Sequence, residues 1–227
     1  MKKFKFKYLL SLFIIIMAGK AKAQDWANLN KYKNENTILT TPVSGENRIV
    51  FFGDSITEGW ETISPEFFSS APYINRGISG QTTSQMLLRF RPDVIELKPK
   101  IVLILAGTND IAENTGPITL QTILGNIISM CELAHANNIK VILCSILPAF
   151  DYPWKKGMNP AAKIEALNTM IIQYAKANHI DYVDYYSAMV DDQKGLKSIY
   201  SEDGVHPNKE GYLIMENIVR KKLAKHK

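Results

Sequence analysis

The chain has 227 residues, 46% of them apolar, and no low-complexity linker, which is enough for one large core. Its formal charge is +5, but six lysines and no acid fall within residues 1–23, and removing that stretch leaves −1. A remainder so close to neutral gives no support to nucleic acid or an anionic membrane surface as a partner.

Residues 1–23 have the layout of a cleaved export signal. Lys2, Lys3, Lys5 and Lys7 precede an apolar run from Tyr8 to Met17, and Ala21-Lys22-Ala23 supplies a small-x-small site just before Gln24. The run is short for a membrane span. The expectation is a signal peptide over 1–23, a periplasmic or secreted mature chain, and no stable membrane insertion after cleavage. No cysteine follows the run at the cleavage point, which argues against a lipid-modified N-terminus.

After Asp25, a suitable N-cap, Trp26, Leu29 and Tyr32 recur at three-residue spacing and predict a short helix, followed by a loop at Thr41-Pro42-Val43-Ser44-Gly45. Residues 24–47 thus read as an N-terminal helix and linker packed on a domain over 48–227. Arg48 to Phe52 is short, apolar and β-rich, as suits a strand buried on both faces. A helical stretch follows around Pro65 to Ser69. Pro72 to Asn75 is a weaker strand, and Thr82 to Phe90 a helix that stops near Arg91-Pro92. Ile101 to Ala106 is the clearest strand. Ile118 to Asn137 is an amphipathic helix, Lys140 to Ile146 a fourth strand and Ala161 to Asn178 another helix. Asp181 to Asp184 is a short fifth strand, and Asn208 to Leu223 closes the chain as a helix. Cys131, in register with Ile123, Ile127 and Ala134, and Cys144, inside an apolar run, read as core thiols in a chain whose export would permit a disulfide.

Strands separated by helices predict βαβ units and an α/β three-layer domain with a five-stranded parallel sheet. Ligands of such sheets collect beyond the carboxyl ends of the strands. Gly53-Asp54-Ser55, Ser79-Gly80 and Gly107-Thr108-Asn109-Asp110 each occupy that position after a different strand. Three polar turns can therefore converge on one rim, with the Ser55 hydroxyl displayed there.

A serine nucleophile needs a base, and the base an orienting acid. Of four histidines, His135 and His179 sit near helix ends and His226 in the basic tail. His206 differs. In Asp203-Gly204-Val205-His206-Pro207 a tight turn can fold the carboxylate back onto one ring nitrogen and leave the other free for Ser55. Asp203 capping a turn beside a surface histidine is the plainer reading of that segment alone. Backbone N–H groups at Ser55 and Gly80, and the Asn109 amide, can serve an oxyanion; Asn109 alone could equally be a turn former. Asp54 and Asp110 read as braces of their own loops.

Together, Gly53-Asp54-Ser55-Ile56-Thr57-Glu58-Gly59, Gly77-Ile78-Ser79-Gly80, Gly107-Thr108-Asn109-Asp110 and Asp203-Gly204-Val205-His206-Pro207 resemble the four blocks of the SGNH, or GDSL, hydrolase family, in that family's order. The resemblance runs from about residue 48 to the final helix, with Ile56 where the pattern has Leu. It implies a flavodoxin-like three-layer fold, a carboxylic ester hydrolase, and neither metal nor cofactor. It also implies Ser55 as nucleophile, His206 as base, Asp203 as orienting acid, and Ser55 N–H, Gly80 N–H and Asn109 as the oxyanion hole. The resemblance is nearest to small bacterial acylhydrolases similar to platelet-activating-factor acetylhydrolase and to carbohydrate esterases.

The chain lacks a Gly-x-Ser-x-Gly elbow, a Walker loop, a dinucleotide glycine pattern and His-Glu-x-x-His. The aromatic loop from Leu147 to Lys156 reaches the same rim; its Tyr152 and Trp154, with Trp60, either form a sugar-stacking platform or pack the loop onto the domain. The absence of a long apolar lid argues against a long-chain lipase, export favours glycan substrates over intracellular thioesters, and the resemblance implies acetyl esters of carbohydrates. Lysophospholipase or thioesterase action on the same site is the rival reading, and a non-catalytic exported glycan-binding protein a second one. Oligomeric state leaves no mark in the sequence.

Overall fold

Five short segments form one parallel sheet of strands β1 (Ile49–Gly53), β2 (Tyr73–Gly77), β3 (Ile101–Leu105), β4 (Lys140–Cys144) and β5 (Asp181–Val183). The structure, a computed structural model, describes residues 25–226, so the expected export signal lies outside the described residues. The sheet order is β2-β1-β3-β4-β5, the flavodoxin-like order. Ile49 pairs with both Tyr73 and Ile101, so β1, β2 and β3 run in step and deliver Gly53, Gly77 and Leu105 to one edge.

Alternate residues of the central strands β1, β3 and β4 feed two separate cores, which is why these strands are almost wholly apolar. Val50, Phe52, Val102, Ile104, Val141 and Leu143 face helices α4 (Thr83–Asp93), α6 (Leu120–Ala136) and α7 (Ala161–Ala177). Phe51, Leu103, Leu105, Ile142 and Cys144 face α2 (Ser55–Ile63), α3 (Pro65–Ser69) and α9 (Lys209–Leu223). The fold is therefore a three-layer α/β/α sandwich. Short helices α1 (Lys33–Ile38), α5 (Thr108–Ile111) and α8 (Tyr186–Met189) complete it. Cys131 and Cys144 are free, buried and on opposite faces of the sheet.

Two elements differ from expectation. Residues 26–32 form turns rather than a helix, and α1 begins only at Lys33. The Asp25 carboxylate takes the N–H groups of Leu29 and Asn30 at 2.8 and 3.0 Å, and Asn28 adopts a left-handed φ of 54°, which no helix accommodates. The turn wins over the three-residue spacing, and Trp26 and Leu29 face solvent. In the other case α4 runs through Pro92 to Asp93. Proline in the final turn forfeits a single helical hydrogen bond, so it does not set the stop. Among the described residues, no helix is long and apolar enough to cross a membrane.

Candidate active site

The sheet order reverses between β1 and β3, and the site lies at the carboxyl edge there. β1 ends at Gly53, Asp54 caps α2 by accepting the Ile56 N–H at 3.0 Å, and Ser55 is the first residue of that helix. The first-turn N–H of Ser55 has no acceptor within its own helix. Gly77 lets this turn approach β2. A Cβ there would lie 2.1 Å from the Glu58 nitrogen and 2.7 Å from the Asp54 carbonyl.

Ser55 Oγ lies 2.9 Å from His206 Nε2, and His206 Nδ1 lies 2.6 Å from Asp203 Oδ2. The other carboxylate oxygen of Asp203 accepts the N–H groups of Val205 and His206 at 2.9 and 2.8 Å, so one tight turn holds both ends of the pair. Desolvation works against ionisation of Asp203, but the bonds from the His206 ring and from these two N–H groups prevail and hold its carboxyl down at about 2.

The loop after β2 carries Gly80 with a φ of 76°, a left-handed conformation that glycine adopts without strain. The Asn109 side chain, 2% exposed, donates one N–H to the Gln81 carbonyl at 3.1 Å. Ser55, Ser79, Gly80, Asn109, Asn114, Trp154 and His206 together line a cavity of about 360 Å³. A larger hollow of about 590 Å³, between the C-terminal ends of α6 and α7, pairs no nucleophile with a base.

Asp54 and Asp110 stand behind this surface. Burial pushes each carboxyl up to about 6. Asp110 accepts the Thr83 hydroxyl at 2.6 Å and the Thr83 N–H at 2.9 Å, which ties the start of α4 to α5. No cluster of three or more His, Cys, Asp or Glu stands in metal-binding position among the described residues.

The aromatic trio divides. Trp154 is 45% exposed, walls the cavity and lies 5.9 Å, ring to ring, from His206. Tyr152 is fully buried beneath it; its ring stacks on Trp154 at 5.1 Å and its hydroxyl pairs with that of Thr108 at 3.1 Å. Trp60 is not at the rim, contrary to the sugar-platform expectation. It is 1% exposed, stacked on Phe67 at 5.0 Å and Tyr212 at 5.5 Å in the core beneath α2. On α2 the position five residues after Ser55 turns inward to meet α3 and α9, so sequence proximity to the serine misleads.

Two lining residues escape sequence reasoning. Ser79 donates its N–H to Glu58 Oε2 at 2.7 Å, and Asn114 binds across to Asn109. Ser79 lies inside the Gly77-Ile78-Ser79-Gly80 block without a role assigned to its side chain, and Asn114 lies outside every block.

A parallel 2-1-3-4-5 sheet with serine, histidine and aspartate in series at its switch point defines a class of α/β/α hydrolases. Residues 51–214 match the GDSL-like lipase/acylhydrolase family, and the chain belongs to that family. A solved GDSL-like lipase from Bacteroides thetaiotaomicron superposes with a TM-score of 0.87 at 52% identity, covering 88% of this chain and 99% of that one. Esterase TesA of Pseudomonas aeruginosa is 26% identical over 75% of this chain and 84% of its own. Lipoprotein YqeF of Bacillus subtilis is 32% identical over 47% of this chain, which spans about half of that relative's length, 51%.

Proposed function

We propose that this protein is a serine esterase that removes short acyl groups, acetyl above all, from carbohydrate esters. The observation that carries the reading is the unbroken series Ser55 Oγ to His206 Nε2 at 2.9 Å and His206 Nδ1 to Asp203 at 2.6 Å, opening onto a small cavity.

In this reading Ser55 Oγ adds to the ester carbonyl carbon while His206 Nε2 takes its proton, and Asp203 stabilises the imidazolium that results. The negative oxygen meets the N–H groups of Ser55 and Gly80 and the second N–H of the Asn109 amide, each donor typically worth about 10²–10³ in turnover. Collapse breaks the bond to the alcohol oxygen, which leaves with the His206 proton. Water then adds to the acyl-enzyme, giving its proton to His206, and Ser55 recovers that proton as the carboxylic acid departs.

The lining bears on the alcohol half. Among the described residues, no aliphatic side chain lines the cavity; serine, asparagine, histidine, glycine and one exposed tryptophan do. The accessible lining is mainly carbon, the Trp154 ring included, and it offers a sugar a stacking face beside a few hydrogen-bonding groups. The similarity to TesA, an esterase, agrees with ester hydrolysis without narrowing the alcohol.

The test is acetate release from a panel of acetylated oligosaccharides, with Ser55→Ala as blank, beside a series of acyl esters from acetyl to palmitoyl. A preference for long chains favours a lysophospholipase or thioesterase. Failure of a fluorophosphonate to add to Ser55 favours a non-catalytic glycan-binding protein. Export belongs to the same proposal; retention of the chain in the cytoplasm would overturn it, and an exported chain whose intact mass does not begin at Gln24 would overturn the cleavage point.

A further inference from the structure

One side chain at the cavity wall touches three of the loops that build the site. α5 ends at Ile111, the chain turns at Glu113 with a φ of 55°, and the Asn114 N–H returns to the Asn109 carbonyl at 3.0 Å. Asn114 thereby stands beside Asn109. Its Nδ2 donates to Asn109 Oδ1 at 2.8 Å and to the Gly80 carbonyl at 3.3 Å, while its Oδ1 accepts the Trp154 indole N–H at 3.1 Å. Gly80 follows β2, Asn109 follows β3 and Trp154 follows β4. Both donors and the acceptor of this one amide are in use.

We infer that Asn114 is a positioning residue that presets the Asn109 and Gly80 oxyanion donors and ties them to Trp154. The inference rests on the roles proposed above for Ser55, Gly80 and Asn109.

The physical argument starts from the Asn109 amide. Its terminal torsion joins an sp³ to an sp² carbon and is intrinsically broad, so the direction of its N–H groups must be set by partners. The Gln81 carbonyl takes one N–H, and the bond from Asn114 pins the opposite oxygen. Held at both ends, the amide aims its second N–H at the cavity before any charge develops, which is what makes an oxyanion donor effective. Donation into Oδ1 also polarises the amide and strengthens its N–H groups. At Gly80 the bond to the carbonyl restrains a residue that lacks a Cβ and is free to rotate. The bond to Trp154 extends the same restraint to the wall beside His206.

The experiment measures kcat and KM on an activated acetyl ester for Ser55→Ala, Asn109→Ala, Asn114→Ala, Asn114→Asp and the double variant Asn109→Ala/Asn114→Ala. Asn114→Ala is expected to lower kcat about tenfold or more, with KM within about twofold. Asn114→Asp, which keeps the acceptor for Trp154 but turns an oxygen towards two carbonyl-type oxygens, is expected to lose at least as much. In the Asn109→Ala background the further loss from Asn114→Ala should shrink to about threefold or less, because most of the effect acts through Asn109. A kcat for both Asn114 variants within about twofold of the parent, or an undiminished loss in the Asn109→Ala background, overturns the inference. Turnover that survives Ser55→Ala would instead overturn the esterase reading. If Ser55→Ala and Asn109→Ala lose activity while the Asn114 variants keep it, the role of Asn114 alone falls.

Discussion

Asp203 faces His206 twice: one carboxylate oxygen meets ring Nδ1 at 2.6 Å and the other accepts the same residue's backbone N–H at 2.8 Å. The double attachment places the ring proton on Nδ1 and leaves Nε2 as the acceptor for Ser55. Asp203→Asn would present an amide N–H to Nδ1 or lose the contact, and either outcome removes the acceptor tautomer from Ser55. The expected result is a fall in kcat of about 10³–10⁴ with KM little changed. Steady-state kinetics on an acetyl ester checks it, and a loss under about tenfold would remove Asp203 from the mechanism.

The same pair fixes the acid side of the pH profile. Asp203 is held at about 2, so it stays ionised across any ordinary assay range. Across that range Asp203 is therefore expected to add no ionisation of its own to kcat/KM. For stability the sign is that of a lowered acid: Asp203 favours the folded state above its unfolded value near 3.8 and loses that contribution as pH falls towards 2. An Asp203 titration inside the assay range, read from the kcat/KM profile of the parent beside that of Asp203→Asn, would contradict the assignment.

Asp54 works in the opposite direction. Burial raises its carboxyl to about 6 from 3.8, so the unfolded chain releases this proton first and the folded state loses stability as pH climbs between those values. Asp54→Asn keeps an oxygen for the Ile56 N–H and abolishes the titration. The stability of Asp54→Asn relative to the parent is expected to improve from pH 4 to pH 7 by an amount of order 2–3 kcal/mol. Denaturant titrations at the two pH values measure it. A pH-independent difference would mean that Asp54 is not the group responsible.

The four glycine-bearing blocks made the rim and its catalytic candidates legible because each block carries its own turn chemistry, and a turn after a strand can project in only one direction. Asp54 is an instructive case: the sequence suggests a loop brace, and the structure specifies it as the cap of α2, whose start the sequence does not mark as helical. What stayed hidden depends on faces and on distant partners. Trp60 lies on the inward face of α2, whereas Trp154, in a loop braced by Tyr152, reaches the surface; local sequence does not separate two tryptophans near catalytic motifs. Asn114 gains its place from contacts to the loops after β2 and β4, contributed by residues 34 and 40 positions away. Trp26, Leu29 and Tyr32 failed as a helix because Asp25 binds two N–H groups in a turn, a local competition that apolar spacing does not register.

Arg89 offers the sharpest test of what holds the rim in place. It is fully buried on α4; its guanidinium pairs with Asp93 at 3.1 Å and donates to the carbonyls of Gly53 at 2.8 Å and Arg76 at 2.9 Å. It also donates to the Gln81 side chain and lies 4.2 Å over the Phe52 ring. These contacts join the end of β1, which leads to Ser55, to the end of β2 and the loop of Gly80. Arg89→Met fills much of the space but leaves the Asp93 charge buried and takes a donor from the carbonyls of Arg76 and Gly53, of which Gly53 keeps the Ile78 N–H at 3.1 Å. The expected cost is about 3–5 kcal/mol of unfolding free energy, the usual penalty for breaking a buried ion pair from one side. Adding Asp93→Asn to that variant removes the uncompensated charge and should recover about 1 kcal/mol or more. Equilibrium denaturation of the two variants beside the parent checks both figures. A loss below about 1 kcal/mol for Arg89→Met would show that the strand ends keep their positions without the guanidinium.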